Sequence, residues 1–107
     1  MNKVIKLGNA QEARVFHGGR SGGQQLRMAI EECLNANDHI TLDFSGVGIV
    51  TQSYIDEAIG VLVLEYGQNI LSRLAFKNCN DDVTAVIRYV ASTRSEDFQN
   101  KQAVLIH

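Results

Sequence analysis

The chain has 107 residues and a net charge of −2, with ten Lys or Arg against twelve Asp or Glu. That length fits one domain, here residues 1–107, and 45% apolar with 21% charged residues is the balance of a folded protein rather than a disordered one. The basic residues form no cationic stripe, which argues against a nucleic-acid partner. The longest apolar run, 59–64, is broken by Gly60 and ends at Glu65, too short to span a membrane.

The chain opens on Met1-Asn2-Lys3-Val4-Ile5-Lys6 without the apolar core of a signal peptide. Cys33 and Cys79 lie far apart, outside any metal or redox spacing. Together these features predict a cytoplasmic protein with two free thiols. Proline is absent, so every turn falls to Gly, Asn, Asp or Ser.

Residues 4–7 and 13–16 read as short strands, and Gly8-Asn9 between them predicts a hairpin. Residues 17–23 form a glycine-rich loop. Leu26, Ala29, Ile30, Cys33 and Leu34 then fall at i, i+3, i+4, i+7 and i+8, the apolar stripe of a helix. Residues 35–38 stop that helix. From His39 to Phe44 the residues alternate, with Ile40, Leu42 and Phe44 on one face, which predicts a strand. Residues 45–48 read as a turn.

A second helix is predicted over 53–66 on the stripe Ile55, Ala58, Ile59, Leu62 and Tyr66, with Gly67 placed to end it. Residues 74–76 read as a strand. Asn80 or Asp81 can cap a third helix, whose stripe is Val83, Val86, Ile87, Val90 and Ala91. Beyond Thr93 the pattern weakens, and residues 103–106 read as a docking element or an edge strand. The order strand, helix, strand, helix favours parallel strands joined by right-handed crossovers, and the hairpin would make the sheet mixed.

Residues 40–47 (ITLDFSGV) and 51–57 (TQSYIDE) carry a more specific pattern. It resembles the STAS-like family, small bacterial domains similar to the STAS domain of anti-sigma-factor antagonists. The shared signature is a strand ending in LDFxGV, a short loop, and a helix opening on Ser, an aromatic and two acids. The resemblance implies a single STAS-like α/β domain, a mixed, mostly parallel sheet with helices packed on it. It also implies a regulatory protein-interaction role beside a histidine-kinase-like ATPase that acts as a serine kinase. In the antagonists a serine at the start of the helix after this strand is phosphorylated, which releases the partner. The corresponding residue here is Ser53. Its surroundings depart from the antagonist motif, because Thr51 and Gln52 replace an acid and a serine, and Tyr54 replaces a glycine.

Ser53 has two readings. Ser53-x-x-Asp56 fits a capping box, with the hydroxyl accepting from the amide of residue 56. A phosphate on Ser53 would instead gain from the helix N-terminus but meet Asp56 and Glu57 in the same turn. Those two acids point about 100° apart on a helix and do not converge on a substrate atom. Their expected role is to favour the helix N-terminus. Asp43 is expected to bond the loop amides at 46–48.

The partner surface is expected around 46–57, from Gly46, Gly48, Thr51, Gln52, Tyr54, Glu57 and Val61. Tyr54, Glu57 and Val61 are expected there as an exposed docking face. An alternative reading makes the domain a small-molecule or nucleotide binder, with Gly19, Arg20, Ser21 and Gly22 cradling an anion at a helix start. A third makes it a structural subunit, for example a homodimer formed through 103–106. His17, His39 and His107 show no metal spacing, and no nucleophile–base motif is present. The chain is therefore expected to bind rather than catalyse, with no cofactor.

Overall fold

The computed structural model describes residues 2–8, 14–36 and 39–106, with side chains as far as residue 104. Its strands are β1 (Asn2–Lys6), β2 (Val15–His17), β3 (His39–Asp43), β4 (Val47–Val50) and β5 (Leu74–Lys77). Its α-helical segments are α1 (Arg20–Ala36), α2 (Gln52–Ile55), α3 (Val61–Tyr66) and α4 (Asp81–Ile106). A π-helical stretch, Asp56–Gly60, joins α2 to α3, so 52–66 is one continuous helix. A 3₁₀ stretch, Gln68–Arg73, leads into β5.

The predicted α/β architecture is present. β3 is the middle strand of a parallel sheet ordered β1-β3-β5, with Ile5, Leu42 and Phe76 in register. Alternation along β3 sends Ile40 and Leu42 to one face, and both are fully buried with Phe44 just beyond. α1 and the 52–66 helix complete that core with Leu26, Ile30, Ile55, Ala58, Ile59, Leu62 and Val63.

The N-terminal hairpin does not form. β1 pairs in parallel with β3, and β2 pairs in parallel with β4. In that register Ile5 lies beside Leu42 and packs against the main core, while Asn9 of the expected turn and Ala13 of the expected second strand lie outside the described residues. Val47 and Gly48, expected within the turn at 45–48, instead open β4, which runs to Val50. Ser45 and Gly46 make the turn, with Gly46 at φ 80° and its carbonyl accepting from the Val15 amide at 2.7 Å.

The 52–66 helix is buried on nearly all sides. Gly23 of α1 lets it approach, because a Cβ there would lie 2.9 Å from the Glu57 Cβ and closer still to the Tyr54 carbonyl. Gly60 does the same toward α4, where an added Cβ would press on the Asp56 carboxylate and come within 2.9 Å of Val90. Gly67, at φ 85°, ends the helix as predicted, its amide donating to the Val63 carbonyl. Tyr66, assigned to the buried stripe, is half exposed.

α4 begins at the predicted cap: the Val83 amide donates to Asn80 Oδ1 at 2.8 Å. Val83, Ile87 and Val90 are buried as its stripe requires. The helix does not stop near Thr93 but continues to Ile106. Phe98 is its last half-buried residue, set against Gly67, and residues 99–104 are all exposed. The expected edge strand at 103–106 is therefore helix.

Candidate functional site

The junction of β4 with α2 is built on Thr51. Its amide donates to the His17 carbonyl at 3.0 Å, closing the β2–β4 ladder. Its Oγ1 accepts from the Tyr54 amide at 3.2 Å and from the Gly19 amide at 3.1 Å. Thr51 thus caps α2 and ties it to the start of α1, where Gly19 takes φ 82°. Ser53 was expected to be the cap. It is the second residue of the helix, half-buried, with its Oγ 3.2 Å from Thr51 Oγ1. The cap lies two residues earlier than Ser53 because Thr51 has the extended backbone a cap needs, with φ −86° and ψ 155°.

Tyr54 is not on an exposed face. It is 4% exposed, stacked on the His17 ring with centroids 5.1 Å apart, and covered by Gly22. Burial pushes its hydroxyl pKa up. His17 Nε2 donates to the Leu7 carbonyl at 2.6 Å, which fixes the ring beneath it. The exposed docking face of Tyr54, Glu57 and Val61 is therefore corrected: Tyr54 is core, and Glu57 and Val61 are half-buried. The other expected partner residues are similarly constrained. Gly46 makes the turn before β4. Gly48 is buried against Arg14, and its carbonyl accepts from Asn80 Nδ2 at 2.9 Å. Only Gln52 of that set is exposed.

Asp56 and Glu57 are gathered by arginines from three directions. Asp56 is 7% exposed and is the only buried charged residue among those described. Arg94 of α4 grips it with two parallel bonds, Nε to Oδ1 at 2.7 Å and Nη2 to Oδ2 at 2.8 Å. Arg20 of α1 reaches Asp56 Oδ2 at 3.1 Å and Glu57 Oε1 at 3.5 Å. Arg27 binds Glu57 through both its carboxylate and its carbonyl, each at 2.7 Å. The Arg94 bonds hold the Asp56 pKa below the ordinary carboxylate range, and Arg27 does the same for Glu57. Both acids are therefore ionised at neutral pH, and neither is poised to move a proton.

This network replaces two sequence readings. The acids do not simply favour a helix N-terminus. Arg20, placed at a candidate anion cradle, is committed to carboxylates. Residues 20–23 lie in the first turns of α1 rather than in a loop, and Gly22 and Gly23 serve close packing on Tyr54. Ser21 is exposed there. Nothing local in the sequence announces Arg94 or Arg27, which lie about 30 to 40 residues from their partners. Asp43 bonds the Ser45 amide at 2.9 Å and Asn78 Nδ2 at 3.0 Å, not the amides of 46–48. Asn78 and then Ser45 pull its pKa down to about 2.

An apolar surface adjoins the junction. Phe16 of β2 and Ile49 of β4 are register partners on the outer face of the two-stranded sheet, 62% and 52% exposed. Phe16 lies over Gly18, next to Thr51 at the helix start. Neither Cys33 nor Cys79 is in a disulfide among the described residues. No group of acids, histidines and cysteines suited to a metal is present among the described residues, and no described helix is long and apolar enough to cross a membrane.

The chain is thus a small parallel α/β domain in which the segment ITLDFSGV leads from β3 to β4 and on to a helix opened at Thr51. The family model described as a STAS-like domain of unknown function, DUF4325, matches residues 22–84, more than half of the chain. The chain belongs to that family. The matched region runs from the first turn of α1 to the start of α4. No curated protein and no solved structure matches the chain.

Proposed function

We propose that this chain is a regulatory protein-interaction module that works by binding, and that its partner docks on the outer face of β2–β4 and the adjoining start of α2. The observation that carries this reading is the Phe16–Ile49 pair. Two large apolar side chains lie in register, each more than half exposed, beside the signature helix. Such a pair is a natural anchor for a hot spot, because covering it removes contiguous apolar surface from water. The partner implied by the STAS resemblance is a histidine-kinase-like ATPase, with Ser53 as the phosphoacceptor. Its hydroxyl lies at the same helix start as exposed Gln52, so an added phosphate would stand at the rim of this face and alter its charge. The anion-cradle alternative has no comparable support, since Arg20 is already paired.

The test is co-purification of the tagged chain from its native host, with mass spectrometry of the captured protein and of the Ser53 peptide. The double substitution Phe16→Ser and Ile49→Ser is expected to reduce recovery of the partner at least tenfold with the fold intact by circular dichroism. Undiminished recovery would overturn the surface. A partner without an ATPase domain, or a Ser53→Asp variant that binds unchanged, would overturn the phosphoswitch while leaving the surface standing.

A further inference from the structure

We infer a ligand site separate from the partner surface: the cavity of about 380 Å³ at the carboxyl end of β5 takes a compact apolar molecule bearing one carboxylate. Its lining is Phe76, Asn78, Cys79, Thr84, Ile87 and Arg88. The chain creates the space by a sharp exit from the sheet. Asn78 adopts a left-handed backbone with φ 60°, and its side chain is tied to Asp43 at 3.0 Å. α4 then starts at the Asn80 cap and supplies the opposite wall. Thr84, Ile87 and Arg88 fall at i, i+3 and i+4 and so share one face of that helix.

The chemistry of the lining selects the ligand. Phe76 and Ile87 offer apolar surface, and Asn78 and Thr84 offer hydrogen bonds. Arg88 is the charge. Arg20, Arg27 and Arg94 are each committed to carboxylates of this chain, whereas Arg88 is exposed and has no ion-pair or hydrogen-bond partner among the described residues. A guanidinium fork beside an apolar wall matches a carboxylate on a small hydrophobic body. The volume is near the lower end of ligand sites, which limits the body to a compact one. The location is also where parallel sheets hold ligands, outside the carboxyl ends of their strands.

Two neighbours set the orientation. Asp43 repels an anion, but its Oδ1 is engaged by Asn78 and Ser45, so the carboxylate is seated toward Arg88 on α4. Cys79 is held as the neutral thiol by burial and then by Asp43, so it neither repels the ligand nor attacks it.

Benzoate is the probe, with benzamide as its neutral isostere, titrated into the full chain and followed by two-dimensional amide NMR. Benzoate is expected to give saturable shifts at 76–79 and 84–88, and benzamide to bind at least about tenfold more weakly. Arg88→Gln, at an exposed position that leaves the fold intact, is expected to weaken benzoate by a similar factor without changing benzamide. In a Cys33→Ser background, benzoate is expected to slow alkylation of Cys79 by iodoacetamide. Shifts that do not saturate at millimolar benzoate, that map away from these residues, or that survive Arg88→Gln overturn the site. The Phe16 and Ile49 variants leave this result unchanged, so it stands or falls apart from the partner surface.

Discussion

The helix at 52–66 and α4 make opposite use of the same secondary structure. The first is the shorter and is buried on nearly all sides, with even a charged residue, Asp56, 7% exposed. α4 has 26 residues, about 39 Å at the helical rise, but is buried along one stripe only as far as Phe98. Beyond that it projects into solvent, with Val104 75% exposed. The two meet where Arg94 grips Asp56. Position in the fold, not length or periodicity, decides how much a residue in each helix matters.

The π-helical stretch belongs to this contrast. It begins at Asp56 and ends at Gly60. The widened turn occurs where the helix must present Asp56 to arginines on α1 and α4 while Ala58 and Ile59 stay in the core. π-helical turns inside α-helices recur at functional positions. Here the stretch organises a structural ion cluster one turn from the proposed partner surface.

The largest test of the comparison is to break the joint. Asp56→Ala removes the acceptor of both Arg94 bonds and of one Arg20 bond, leaving these partly exposed arginines with Asp97 and Glu57. Chemical denaturation should show a loss of about 2–3 kcal/mol. A loss below about 1 kcal/mol would mean that the cluster is solvated in solution. Next comes Gly60→Ala, which places a methyl against the Asp56 carboxylate, Val90 and Arg94. Overpacking there should cost about 1–3 kcal/mol, and a neutral result would show that α4 can shift away from 52–66. The smallest effect should come from truncation after Gln99. Residues 100–104 of the segment removed are all exposed, so stability should change by less than about 0.5 kcal/mol. A larger drop would show that the distal helix is covered in solution, by a second copy for instance, and sedimentation of the two forms would then differ.

Much of the fold was legible because its cues are local. The alternation of Ile40, Leu42 and Phe44 gave β3, the spacing of Leu26 and Ile30 gave α1, and Asn80 and Gly67 marked a start and a stop. The errors share one physical cause. The turn signal at Gly8-Asn9 suggests a hairpin, yet the strands on either side pair with β3 and β4, far along the chain. Spacing alone puts Tyr54 outside, off the buried stripe at 55, 58, 59 and 62. A helix packed between two others has no outside, and Tyr54 is covered by His17 and α1. The signature at 40–57 pointed to the family that residues 22–84 match. The exposed pair was missed because Phe16 and Ile49 lie on separate strands and neither is unusual alone.

The sequence by itself determined the elements whose periodicity and caps are written in neighbouring residues, along with the family signature at 40–57. Tertiary structure alone decided which strands pair, which acid is buried, and which arginines are spent on carboxylates. Those outcomes depend on groups tens of residues apart that meet only once the core has closed. Backbone spacing reports what a segment can be, whereas burial and charge pairing are properties of the assembled molecule.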